Sequence, residues 1–346
     1  MSKLHIGISG INAVDNPGPG IGVARSLKED ADLHARIIGL AYDAMEPGIY
    51  MDWVVDRSFI MPYPSGDGDA YFDRLSFIRE RHGLDFLIPN LDAELPIYIK
   101  RASKLDDLGI KTFLPTMEQF RLRSKDRLPE IARQIEIKLP ETRVVTGLDQ
   151  FVQAVGEIGL PVMVKGSFYK AWRAFTMAEA ISSYHGLVAE WGYPIIVQQI
   201  VSGEELNVIG VGDGAGSSLG LVAIKKISVT SLGKIWTGVT IKHPAMLEAA
   251  RRFIHEFKWR GPFELECIVK DNDVFLIEIN PRFPAWVYFA TGVGVNLPAR
   301  LVRHCLGLRV PPTPEYEAGK LFVRYCYELV TDMNTFQNAV TRGEAP

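Results

Sequence analysis

Residues 4–114 alternate short apolar runs with segments of helical period, whereas residues 195–241 carry successive strand-like runs with no helix between them. That change of pattern constrains the fold more than any other feature. Strands are expected at 4–9, 35–41, 59–61, 85–89 and 112–114, with helices at 21–28 and 70–81. Such β–loop–α–β alternation predicts a parallel sheet with helices on both faces. A helical stretch at 117–134 bridges to a second region, where helices at 148–158 and 178–191 bracket a strand at 161–168. Strands at 195–201, 206–212, 217–227 and 235–241 then predict an antiparallel meander. Past a helix at 244–257, strands at 263–269 and 274–279 flank Asp271-Asn272-Asp273 as a hairpin. Residues 279–294 read as irregular, 295–306 as a last amphipathic helix, and 320–329 as strand-like. The fold class is therefore mixed: α/β at the N-terminus and α+β after it.

Composition narrows the function classes. Lys+Arg total 38 against Asp+Glu 41, a net charge of −3, which argues against a dedicated nucleic-acid binder. No run approaches the ~18 consecutive apolar residues of a membrane span, and MSKLHIGISG shows no cleavable signal pattern. Cys267, Cys305 and Cys326 lack CxxC spacing and fit a reducing, cytoplasmic setting. The histidines form no zinc-type pair.

The segment Gly261-Pro262-Phe263-Glu264-Leu265-Glu266-Cys267 precedes Leu276-Ile277-Glu278-Ile279-Asn280-Pro281-Arg282. On adjacent antiparallel strands, Glu266, Glu278 and Asn280 can meet, since Glu278 and Asn280 are two apart and share a face. Two carboxylates and an amide oxygen form a hard-oxygen site suited to Mg²⁺ bridging nucleotide phosphates. Arg282, two residues further, adds a cation where phosphoryl oxygens need neutralising. A solvated polar face is the bland reading of such alternation, but Glu278 sits between isoleucines, where a carboxylate needs a partner.

These segments resemble the metal-binding core of the ATP-grasp superfamily, which includes carbamoyl phosphate synthetase and biotin carboxylase. The likeness extends over roughly residues 115–310. Ile195–Glu205 is similar to the family's hinge strand, which implies adenine contacts at Gln198, its neighbour Gln199 and the Val201 backbone, and ribose contact at Glu205. Val162-Met163-Val164-Lys165 and Ser124-Lys125-Asp126 resemble the family's two phosphate-binding lysine segments. In similar enzymes a basic residue at Lys225-Lys226 reaches the γ-phosphate. Strand alternation admits only one of the two, and Lys226 is carried forward without the sequence deciding between them. The loop Gly166–Arg173 departs from the family, with Phe168, Tyr169 and Trp172 where small residues are usual, so Ser167, Lys170 and Arg173 are its candidate phosphate contacts. Trp172 or its neighbours would then close a lid over the nucleotide.

The resemblance implies an N-terminal α/β domain (1–115), a small ATP-clamping subdomain (116–200), a core carrying the metal hairpin (201–310) and a C-terminal tail (311–346). It also implies an ADP-forming ligase using ATP and Mg²⁺ or Mn²⁺. A carboxylate is activated as an acyl phosphate for attack by an amine or thiol. Small-molecule or peptide carboxylates and amines are the expected partners, with no nucleic acid and no membrane, and a homodimer is the candidate assembly. The alternatives are a bicarbonate-activating enzyme like carbamoyl phosphate synthetase or biotin carboxylase, and a nucleotide-binding protein without turnover. The Gly-rich segment 12–22 also raises a dinucleotide fold with Asp43 on the ribose, but the fingerprint G-x-G-x-x-G fails at Val23. That loop and Asn90–Glu94 are instead candidates for the second substrate.

Overall fold

The computed structural model describes residues 3–14, 16–166, 171–231, 233–326 and 328–346. The first unit runs β1 (Leu4–Ser9), α1 (Gly20–Lys28), β2 (Ala35–Ala41), β3 (Arg57–Ile60), α2 (Gly68–His82), β4 (Phe86–Ile88), α3 (Leu95–Lys100), α4 (Ala102–Asp107) and β5 (Lys111–Thr112). Its strands lie parallel in the order β3-β2-β1-β4-β5. The strand order reverses between β1 and β4, the place where open α/β sheets bind ligands outside the carboxyl ends of their strands. The segment after β1 folds back on itself: Gly18 N–H donates to Asn12 O and Gly20 N–H to Gly10 O. A Cβ on Gly20 would stand 2.4 Å from Ser9 O, so glycine is required for this close approach.

The bridge expected at 117–134 is two helices, α5 (Met117–Arg121) and α6 (Leu128–Gln134), with a short 3-10 turn, Lys125–Arg127, between them. Extended Ser124 breaks the first, and Pro129 starts the second. Leu128, Ile131 and Ala132 of α6 pack into a core with the largest sheet.

The next elements are β6 (Thr142–Val145), α7 (Leu148–Ile158), β7 (Val162–Gly166), β8 (Ala171–Ala174), α8 (Met177–Trp191) and β9 (Ile195–Gln199). They form a four-stranded sheet, β6-β9-β7-β8, backed by α7 and α8 with a core of their own around Phe151, Val164, Leu187 and Val197. Two features correct the sequence reading. β9 belongs to this sheet and not to the meander. The chain changes sheet between β9 and β10 through Gly203, where an added Cβ would stand 2.4 Å from Val269 O, so glycine is required for the close approach. Residues 171–174, read as loop, instead pair with β7.

The remainder comprises β10 (Glu204–Asp213), β11 (Ser218–Val229), β12 (Ile235–Ile241), α9 (Pro244–Phe257), β13 (Arg260–Lys270), β14 (Asp273–Asn280), α10 (Val287–Gly292), α11 (Leu297–Cys305), β15 (Leu321–Val323), α12 (Met333–Arg342) and β16 (Glu344–Ala345). The sheet order is β14-β13-β10-β11-β12-β15, antiparallel throughout. Alternation sorts its two faces. Leu206 and Val208 with Phe263 and Leu265 meet α9, which buries Met246, Ala250, Phe253 and Ile254 along one helical stripe. Each such large side chain contributes roughly 1.5–3 kcal/mol. Ile209 and Val211 on the other face join a core shared with α1, α10, α11 and the first sheet. α10 lies in the stretch expected to be irregular, and only Leu321–Val323 of 320–329 is strand. β16 returns to the first sheet, antiparallel to β3. Among the described residues, no helix is long and apolar enough to cross a membrane.

Candidate functional site

The hairpin β13–β14 turns through Asp271 and Asn272, both at positive φ, so Asp273 is already strand. On β13, Glu264 and Glu266 face away from the α9 core. Strict alternation on β14 would send Glu278 to the apolar face occupied by Val274 and Leu276. A bulge prevents this. Cys267 pairs with Leu276 and Glu266 with Glu278, so Ile277 has no partner in register and Glu278 and Asn280 swing to the face of Glu266.

Around this pair the structure gathers several of the expected residues. Lys226 Nζ donates to Glu266 Oε2 at 2.7 Å and lies 3.4 Å from Glu205 Oε2. Burial opposes its charge, but Glu266, Glu264 and Glu205 outweigh that and raise its pKa. Glu266 is itself buried against its charge, yet Lys226, Arg282 and the Asn280 amide hold it below the usual carboxylate range. Lys225 points outward to Glu204. Lys125, in the turn before α6, donates to Glu278 Oε1 at 3.1 Å. Asn280 Nδ2 donates to Glu264 Oε2 and Glu266 Oε1, both at 3.0 Å, and its Oδ1 accepts from Arg282 at 3.3 Å.

From the small sheet, Lys165 on β7 reaches Gln198 Oε1 at 2.6 Å, and Gln198 Nε2 donates to Thr142. Burial, then the nearby Lys125 charge, push the Lys165 ammonium down to about 8. Gln199 is exposed at the end of β9, with its N–H on Glu141 O, and Val201 lies in the link to β10. These two do not join the charged cluster. Ser167 and Lys170 fall outside the described residues, and Trp172 and Arg173 lie on exposed β8 positions.

Sequence reasoning gave Glu264 no role and named Asp92 only within the segment 90–94. Glu264 is buried and accepts from Asn207 and Trp286 Nε1, each at 2.6 Å, as well as from Asn280. Burial and then the Glu266 charge push it up to about 7. Its position two residues before Glu266 was the available signal. Asp92 accepts from Arg282 Nε at 3.2 Å and pairs with Arg123 at 3.1 Å. It stands on the segment after β4, which Glu94 fixes by accepting from Asn90 N–H, Leu91 N–H, Ser9 and the Tyr42 hydroxyl. Burial opposes the Arg282 charge, but Asp92 and Glu264 outweigh it and raise its pKa.

The donor set fits a magnesium-bound polyphosphate. Among the described residues, no three acidic, His or Cys side chains close a metal site on their own. Two opposed carboxylates and an amide instead leave positions for phosphate oxygens and water, which is how Mg²⁺ is commonly held. Among the described residues, buried Lys165 has an amide oxygen as its hydrogen-bond partner, and a phosphate would bring an anion into direct contact with it.

Comparisons with known proteins bear on the fold. A family model described as ATP-grasp in the biosynthetic pathway with Ter operon matches residues 193–327. The arginine-specific carbamoyl phosphate synthase large chain of Bacillus subtilis (strain 168) is 22% identical over 241 residues, covering 66% of this chain and 22% of that protein. The chain thus spans about a fifth of that relative's length. An ADP complex of N5-carboxyaminoimidazole ribonucleotide synthetase superposes with a TM-score of 0.68 at 14% identity, covering 92% of this chain and 82% of the other. Biotin carboxylase from Campylobacter jejuni gives 0.69 at 15% identity, with 92% and 74% covered. The L-amino acid ligase from Bacillus licheniformis gives 0.63 at 14%, with 88% and 74% covered. The chain has the ATP-grasp fold, and its residues 193–327 are similar to an ATP-grasp family.

Proposed function

We propose that the chain is an ADP-forming ligase that uses Mg-ATP to activate a carboxylate for attack by an amine. The observation that carries this reading is the convergence of Lys125, Lys165, Lys226 and Arg282 on the opposed pair Glu266 and Glu278. Lys125 and Lys165 bind the anionic phosphates from the two walls of the cleft, and Lys226 takes the terminal one. Glu266, Glu278 and Asn280 hold Mg²⁺ or Mn²⁺, which neutralises phosphate oxygens when bound. The Val201 backbone and Glu205 receive the base and ribose, while Gln198 holds Lys165 in place.

In the reaction, a carboxylate oxygen attacks the γ-phosphorus and the bond to the β–γ bridging oxygen breaks, releasing ADP. The amine then attacks the acyl carbon, the C–O bond to phosphate breaks, and the amine loses a proton. Arg282, fixed by Asp92, neutralises the transferring phosphoryl oxygens, a step that depends mainly on positioning and charge. The division into an N-terminal domain, a clamping subdomain, a core and a C-terminal tail at residues 115, 200 and 310 belongs to the same proposal.

An ADP-release screen pairing amino acids, short peptides and bicarbonate tests it. ADP formation that requires both a carboxylate and an amine supports the ligase reading. Release with bicarbonate alone favours a bicarbonate-activating enzyme, and no release with any pair favours a binding protein.

A further inference from the structure

Beyond the phosphate-binding residues, three cations gather around the turn that follows β14 and the Gly-rich segment after β1. Arg282 Nη1 donates to Phe283 O at 3.2 Å, and Arg324, just past β15, donates from Nη2 to Ala285 O at 2.8 Å. Two guanidinium groups thus clasp the same short turn. Lys234, from the loop before β12, donates to Pro17 O at 2.8 Å and Asn16 O at 3.3 Å on the Gly-rich segment.

Among the described residues, the salt-bridge pairing here is uneven. Arg282 has Asp92, which also serves Arg123. Among the described residues, Arg324 and Lys234 have carbonyl oxygens as their partners and no carboxylate within salt-bridge distance, and the buried Arg324 Nε has no acceptor. Burial, then the charges of Arg282 and Arg324, push the Lys234 ammonium down to about 8, so the three groups act on one another. Desolvation also lowers Arg324. Bracing of backbone carbonyls alone needs no charge, and holding two half-buried cations together, with Asp92 acting on Lys234 only from beyond salt-bridge distance, is costly.

We propose that Lys234 and Arg324 seat a second anionic group on the carboxylate substrate, with Arg282 beside the carboxylate that is activated. This rests on the ligase reading and narrows its substrate class to small dianions: dicarboxylates, or carboxylates bearing a phosphate-type group. Lys234 and Arg324 are then specificity-determining residues that leave nucleotide binding alone.

Isothermal titration of the whole chain tests this, after saturation with Mg-ADP. Succinate, glutarate and L-glutamate form one arm, phosphonoacetate a second, and propionate and butyrate the monoanionic reference. At least one dianion should bind ten times more tightly than the monoanions, and the arm that wins identifies the second group. Lys234→Gln and Arg324→Gln should each remove that preference while leaving Mg-ADP affinity within twofold; Arg324→Lys, which keeps the charge, should retain part of it. Mono- and dianions binding alike, or a dianion preference that survives both glutamine variants, overturns the seat. Failure of the parent chain to bind Mg-ADP at all overturns the ligase reading instead, a separate and earlier result in the same titration.

Discussion

Glu266 and Glu278 stand directly opposite each other across β13 and β14 because Ile277 has no partner in register. Without that bulge Glu278 would enter the core under α9, and the two carboxylates could not share one ion. We expect Glu278→Ala to fold, since a third of its side chain is exposed. It should lose most of the Mg²⁺-dependent rise in Tm that ATP gives the parent. Equal Mg²⁺-dependent shifts in both proteins would remove Glu278 from the proposed metal site.

The two adjacent lysines of β11 should separate cleanly. Lys225 makes an exposed pair, so Lys225→Ala is expected to change stability by less than about 0.5 kcal/mol and to leave nucleotide affinity unchanged. Lys226→Ala strips Glu266 of its buried partner and should weaken ATP binding at least tenfold. Titration calorimetry with ATP distinguishes the two, and similar losses from both would contradict the inward assignment of Lys226.

Lys165 gives a pH signature. Its folded pKa of about 8 lies below the ordinary lysine value of 10.5, so between these values the unfolded chain binds the extra proton. Stability of the parent should therefore rise, relative to Lys165→Met, as pH goes from 8 to 10. Urea unfolding of both proteins across that range measures the difference, which should be flat if Lys165 titrates normally. The same variant should lose affinity for ADP far more than for adenosine, whereas Glu205→Ala should lose both.

Glu264 is the buried anchor of the site. Glu264→Ala leaves the donors of Asn207 and Trp286 without an acceptor and frees one side of Asn280. A loss of about 2–5 kcal/mol is expected by urea unfolding. Retention of the parent midpoint would show that Asn207 and Trp286 find other partners.

The sequence alone specified the periodicities that decide which segments become strand or helix. Residues 4–9, 35–41, 148–158, 235–241 and 244–257 form the elements their patterns predict, because local apolar spacing matches a buried face there. It also placed Glu266, Glu278, Asn280 and Arg282 on one hairpin, since those contacts lie within a few residues of the turn. Tertiary structure decided what such spacing does not encode. It assigned β9 to the small sheet, where it pairs with β6 and β7. It chose Lys226 over Lys225, a choice made by contact with Glu266 forty residues away. Asp92 reaches Arg282 across 190 residues, and Arg324 returns from the far end of the chain to clasp the turn beside it. Hydrophobic spacing is a property of neighbours along the chain, whereas pairing of buried charges depends on which distant segments the packed core brings within a few ångströms.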